Sequence, residues 1–135
     1  MSEQISEHNN IFSAHLLKEG KGWRLGFDPS RDIYRCLVGG ENWALELTEA
    51  EFQDFCRLLS QLRTMIAVIA TELMEEEKIT CEAESELLWL EAEGYPQAFS
   101  LRLILLQGRC GEGGWSAIAV TELIQALEAF MLQEY

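Results

Sequence analysis

Glu82 and Glu84 stand two residues apart, and so do Glu91 and Glu93. On extended backbone, residues at that spacing share a face. A hairpin between the two segments would gather all four carboxylates. Such a group can hold a divalent cation or clasp arginines. The plainer expectation is a solvated sheet face, with Arg102 on a neighbouring strand easing the repulsion between like charges.

Basic and aromatic residues concentrate in a different place. Residues 18–35 carry Lys18, Lys21, Arg24, Arg31 and Arg35 against Glu19, Asp28 and Asp32, whereas residues 72–93 carry nine glutamates against Lys78. Within the first stretch, Trp23, Arg24, Asp28 and Arg31 are the candidate ligand-binding residues. An indole can stack on a base, and guanidinium groups can contact phosphate. The structural alternative is that the aromatics pack and Asp28 pairs with an arginine.

Nucleophilic catalysis needs a base and an orienting group held beside the nucleophile. Both histidines, His8 and His15, precede the first strand pattern, which leaves Ser30, Ser116 and the cysteines without an evident base. No catalytic residue is assigned, and the chain is expected not to be an enzyme. Cys36, Cys56, Cys81 and Cys110 contain no C-x-x-C pair, so no metal site is expected from them. No phosphate-loop spacing opens a helix, and no cofactor is expected.

The length of 135 residues suits one domain, and 48% hydrophobic residues suffice for a core. The net charge of −13 repels nucleic-acid phosphates and anionic lipid and favours basic partners. The N-terminus has no apolar signal region, and no run reaches the roughly 18 apolar residues of a membrane helix. A cytoplasmic protein with reduced, mostly packed thiols is expected.

The elements that must position these groups follow from periodicity. Residues 1–21 are expected to be a flexible tail ending in Gly20-Lys21-Gly22, with a short helix through Ile11, Phe12, Leu16 and Leu17 as the alternative. Residues 22–135 form the domain. Trp23 to Phe27 alternates as a strand, Asp28-Pro29-Ser30-Arg31 turns, and Cys36-Leu37-Val38 resumes extended before a bend at Gly39-Gly40. Trp43, Leu45 and Leu47 then share a face. Thr48-Glu49-Ala50-Glu51 is a capping box opening a long helix to about Met74, with Phe52, Phe55, Leu59, Leu62, Ile66, Ile69 and Leu73 in one stripe. Strand patterns follow at 79–84, 87–93 and 99–105, with room for a short extra strand near Trp115. Val120, Leu123, Ile124, Leu127, Phe130 and Met131 mark a final helix. The result is an α+β domain with a curved antiparallel sheet, one long and one shorter helix, in the order ββ-α-βββ-α.

Three stretches carry a family resemblance: Gly22-Trp23-Arg24-Leu25-Gly26-Phe27-Asp28-Pro29-Ser30-Arg31, Leu37-Val38-Gly39-Gly40-Glu41-Asn42-Trp43-Ala44, and Ile79-Thr80-Cys81-Glu82-Ala83-Glu84-Ser85 with Leu88-Trp89-Leu90-Glu91-Ala92-Glu93-Gly94. Together they resemble an uncharacterised cyanobacterial family, the domain of unknown function numbered eighteen-eighteen. That family is similar in fold to the whirly and positive-cofactor-four regulators that bind single-stranded DNA, so the resemblance implies a whirly-like fold. It implies no activity and no catalytic residues. The DNA-binding proteins present basic and aromatic residues on an exposed sheet face; here the segment from Ile79 to Glu93 is dominated by glutamate.

The expected function is therefore a non-enzymatic binding or regulatory module that contacts another protein. The alternative is single-stranded nucleic-acid binding by the basic and aromatic first-strand region. The last helix ends in Phe130, Met131, Leu132 and Tyr135, a surface that seals either the core or a homodimer.

Overall fold

A computed structural model of the chain describes residues 15–72 and 77–133, apart from the side chains of 131–133. Alternation of buried and exposed side chains sets its strands. In β2 (Trp23–Phe27), Trp23 and Leu25 turn inward and Arg24 turns outward. β3 (Cys36–Gly39) buries Cys36 and Val38, and β4 (Ala44–Leu47) buries Leu47. β1 (Leu16–Gly20) completes an antiparallel sheet of four strands in the order β1-β2-β3-β4.

The helix α1 (Glu49–Ala70) follows, opened by the expected capping box. The Thr48 Oγ1 accepts from the Glu51 amide at 3.0 Å, and the Glu51 carboxylate accepts from the Thr48 amide at 2.9 Å. The apolar stripe is buried as its spacing demands, from Phe52 and Phe55 through Leu59 and Leu62 to Ile66, with Leu58 added. Thr71 ends the helix, its hydroxyl donating to the Val68 carbonyl at 2.8 Å, short of the expected Met74.

A second meander then repeats the plan of the first. β5 (Ile79–Glu84), β6 (Leu88–Tyr95), β7 (Ala98–Leu105) and β8 (Glu112–Trp115) form another four-stranded antiparallel sheet, ordered β5-β6-β7-β8. The helix α2 (Ala117–Gln133) closes the chain. α1 packs on β5 and β6, while α2 packs on β7 and also reaches β1 and β2. The core lies between helices and sheets. Phe130 of α2 sits there, its ring centroid 5.7 Å from Phe52 and 6.4 Å from Phe27, so this part of the last helix seals the core. Met131, Leu132 and Tyr135 have side chains outside the described residues.

The α+β class and the antiparallel pairing agree with the sequence, but the observed order is ββββ-α-ββββ-α in two sheets, not ββ-α-βββ-α in one. Residues 16–20, expected within the tail, are strand β1. They pair with β2 from Leu16↔Phe27 to Gly20↔Trp23. Lys21-Gly22 makes the tight turn between them, and Gly22 takes φ +85, the value a type II turn needs at its second central residue. The rest of the expected tail, residues 1–14, lies outside the described residues. β8 is the short extra strand for which the sequence left room near Trp115; Gly113 and Gly114 give it no alternation of its own.

The two sheets meet where β4 approaches β8. Trp43 and Trp115 pack there with centroids 5.0 Å apart. Trp115 Nε1 donates to the Gly39 carbonyl at 2.8 Å, and Trp43 Nε1 donates to the Gly114 carbonyl at 3.1 Å. A Cβ on Gly113 would stand 2.5 Å from the Trp43 ring, so only glycine fits beneath it. Among the described residues, no helix is long and apolar enough to cross a membrane.

Leu62 is fully buried in the middle of α1. Leu62→Ala should cost about 2 to 5 kcal/mol in urea unfolding, because it opens a cavity. Thr48→Ala should cost about 1 kcal/mol by removing the cap acceptor. A chain beginning at Lys21 loses β1 and should melt at a lower temperature than the full chain.

Candidate functional site

Both helices cover inner faces, so each sheet presents an outer face to solvent. On the first sheet, the register lines up Leu17, Gly26, Leu37 and Glu46 across the four strands. This row is the floor of a cleft of about 280 Å³, edged by His15, Arg24, Asp28, Arg31, Tyr34 and Arg35. Three of the four candidate residues, Arg24, Asp28 and Arg31, therefore come together.

Trp23 does not line this cleft. Strand alternation turns it inward, where it is buried and its Nε1 donates to Glu122 of α2 at 2.9 Å. It fastens α2 to the first sheet and offers no ring to a ligand. The arginines are also engaged. Arg24 donates to the carbonyls of Gly40 at 3.3 Å and Trp43 at 2.9 Å, pinning the turn before β4. Arg31 pairs with Glu46 and lies 3.9 Å from Asp28. Arg35 donates to the Arg31 carbonyl at 2.7 Å and lies 3.7 Å from Glu49.

Asp28 is a turn residue. Its carboxylate accepts from the Ser30 hydroxyl at 2.6 Å and the Ser30 amide at 3.1 Å, which closes an Asx turn. Those two bonds hold its carboxyl below the usual carboxylate range. A lowered folded-state value stabilises the ionised turn above the unfolded value, and that stability is lost as pH falls through the folded value.

On the second sheet the outer face is acidic. Its register sets Thr80 opposite Glu93, Glu82 opposite Glu91, and Glu84 opposite Trp89. Ser85 donates its amide to the Leu88 carbonyl at 2.9 Å, so the pair Ser85↔Leu88 is hydrogen-bonded. Antiparallel pairs alternate between hydrogen-bonded and non-hydrogen-bonded, and the latter stand closer, near 4.5 Å between Cα atoms. Counting back, Glu82↔Glu91 and Thr80↔Glu93 belong to the closer class. Two carboxylates thus face each other at the shortest cross-strand spacing, an unfavourable arrangement.

Arg102 lies opposite Glu91 in the next register, as the sequence suggested. Its guanidinium nonetheless turns to Glu112, at 3.5 Å, and lies 5.7 Å from the centre of the Trp89 ring. Among the described residues, Glu82, Glu84, Glu91 and Glu93 form no ion pair; Glu82 accepts only from Trp89 Nε1, at 3.1 Å. No group of three or more His, Cys, Asp or Glu among the described residues is arranged to hold a metal ion.

The sequence did not point to the clamp at Glu51. This carboxylate is buried, and besides capping α1 it accepts from Arg109 at 2.6 Å. The Arg109 guanidinium in turn lies 4.3 Å from the centre of the Tyr34 ring. The capping-box spacing reveals Glu51, but its partner is 58 residues away in a glycine-rich loop and has no local signature.

Ser30→Ala removes one of the two bonds to Asp28. Carboxyl titration by NMR should show the Asp28 pKa rising towards the usual range.

The chain is similar to known proteins in sequence and in structure. Residues 18–130 match the family described as domain of unknown function DUF1818. A crystal structure from Prochlorococcus sp. NATL2A, described as a protein with unknown function from the DUF155 family, is similar with a TM-score of 0.80 and 32% identity, covering 86% of this chain and 98% of that one. No curated protein matches. With the family match spanning both sheets and nearly all of the last helix, the chain belongs to the DUF1818 family.

Proposed function

We propose that this protein is a non-enzymatic binding or regulatory module whose partner is a protein with a basic surface, held by the acidic outer face of the second sheet. The observation that carries this reading is the cross-strand pair Glu82↔Glu91 in the close-spaced class, with Thr80↔Glu93 beside it and the nearest arginine drawn away to Glu112 and Trp89. Carboxylates so placed repel one another, and a cationic partner relieves that repulsion as it binds. The half-buried Trp89 and Ile104 give the face apolar contact area among the charges.

The alternative, single-stranded nucleic acid on the first sheet, is weakened at the level of side chains. Sequence-tolerant binders stack bases on exposed aromatics above a basic groove. In the first sheet, Trp23 is buried against α2, and Arg24 and Arg31 are spent on carbonyls and carboxylates. Asp28 and Glu46 line the same cleft and would face the phosphates.

Affinity capture from a native lysate separates the two. Basic proteins should be retained by the wild type and released by the triple variant Glu82→Gln, Glu91→Gln, Glu93→Gln. They should still be retained by a control that neutralises Glu19, Asp32 and Glu41 on the first half. The reading fails if the captured set is the same for all three. A labelled single-stranded oligonucleotide should bind at best weakly and be released as salt rises towards about 0.15 M. Tight binding at that salt, lost in Arg24→Ala or Arg31→Ala, would favour the alternative.

A further inference from the structure

The acidic sheet has an open edge, and its position specifies what kind of segment can use it. β5 pairs with β6 on one side and, among the described residues, with no strand on the other. The parity fixed by the Ser85↔Leu88 bond makes Ile79, Cys81 and Ala83 the residues that bond to β6. The amides and carbonyls of Thr80, Glu82 and Glu84 therefore point away from the sheet. The side chains of these same residues lie on the outer face, exposed, while Ile79 and Cys81 are buried beneath α1.

Natural edge strands are blunted by proline, lysine, bulges or a covering element. β5 contains no proline and no lysine, and its register with β6 runs unbroken from Ile79↔Gly94 to Glu84↔Trp89. Its protection is charge of one sign. That guards against a second copy, because antiparallel pairing of β5 with itself sets glutamates beside glutamates. It does not guard against a strand that brings positive charge.

We propose that β5 is a docking edge for an extended basic segment of the partner protein, which adds to the second sheet as a further strand. This rests on the protein-binding reading given above. The incoming backbone bonds to Thr80, Glu82 and Glu84, and its side chains alternate across the sheet. Every second residue falls on the outer face beside Glu82 and Glu84, with Glu91 and Glu93 one strand further in, and these positions call for lysine or arginine. The residues between them continue the inner face, beside Cys81 and the half-buried Ala83, and call for small or apolar side chains. The recognised pattern is thus a basic residue at alternate positions of a strand, which neither a basic helix nor a nucleic acid supplies.

The test uses the full chain and a short labelled peptide alternating lysine with threonine, followed by fluorescence anisotropy at about 0.15 M salt. Glu82→Gln or Glu84→Gln should each weaken binding roughly twofold to fivefold. Thr80→Pro keeps every carboxylate but removes an outward amide, and should weaken binding about tenfold. The same peptide methylated on alternate backbone amides should lose binding to a similar degree. Hydrogen exchange at Thr80, Glu82 and Glu84 should slow when the unmodified peptide is added. Suppose the Glu→Gln variants weaken binding while Thr80→Pro, backbone methylation and exchange change nothing. The edge proposal is then overturned, and the acidic face still binds basic partners by charge alone. If the Glu→Gln variants have no effect either, the functional reading falls with it. Self-association that slows the same three amides without peptide would assign the edge to a second copy and overturn the proposal. Should Thr80→Pro fail to fold, the methylated peptide and the exchange measurement decide alone.

Discussion

Two indole N–H groups close this fold. The sheets are separate hydrogen-bonded units, and something other than a β-ladder must join them. Trp115 donates to a carbonyl of the first half and Trp43 to a carbonyl of the second, while their rings pack at a tilt of 58° between the strands. Trp115 is buried, and without its acceptor its indole N–H would forfeit about 1 to 3 kcal/mol. The two bonds, that of Trp115 buried and that of Trp43 at the surface, hold β4 and β8 against each other. The glycines on either side follow from this requirement, since side chains at Gly39 or Gly113 would occupy the space of the Trp43 backbone or ring.

The Glu51 clamp adds an electrostatic constraint a short distance away. A carboxylate in the interior is tolerated when its oxygens are bonded and its charge is met. Thr48 and Arg109 do this, and Tyr34 backs the guanidinium from the first sheet's loop. The start of α1, the loop before β8 and the loop before β3 are thereby tied at one point. The positive charges of the first half are similarly consumed by structure, Arg24 on carbonyls, Arg31 and Arg35 on carboxylates. Among the described residues, Glu82, Glu84, Glu91 and Glu93 on the second sheet's outer face have no such ion pair, so the two sheets differ in how their charges are used.

What the sequence made legible was whatever is encoded locally. The Thr48-Glu51 box and the stripe from Phe52 to Ile66 are relations within a few residues, and they appear as expected. The alternation in 79–84 and 99–105 is equally direct. β1 was missed because Leu17, Lys18, Glu19 and Gly20 sit on an exposed sheet edge, where no buried face imposes alternation. β8 showed only as room for a short extra strand near Trp115, because two of its residues are glycines, and Gly113 answers to a tryptophan 70 positions earlier, a pressure that no window of sequence contains. At the candidate site, Arg24, Asp28 and Arg31 line one cleft. Trp23 lies buried away from it, because an aromatic on a strand is equally well used for packing, and only its parity with the inward-facing Leu25 distinguishes the two uses.

The reach of the tryptophan bonds along the chain has a kinetic consequence. Within each half, strands are joined to their neighbours by short connections, and such local contacts form early. The bonds Trp43–Gly114 and Trp115–Gly39 span 71 and 76 residues. Closing a loop of that size carries an entropic cost that neither meander can offset by itself. Each half should therefore gain its local order before the two are joined, and the joining buries Trp115 against the half-buried Trp43. Emission from Trp43 and Trp115, once separated from that of Trp23 and Trp89, would report that last event apart from the circular dichroism of the helices and strands that precede it.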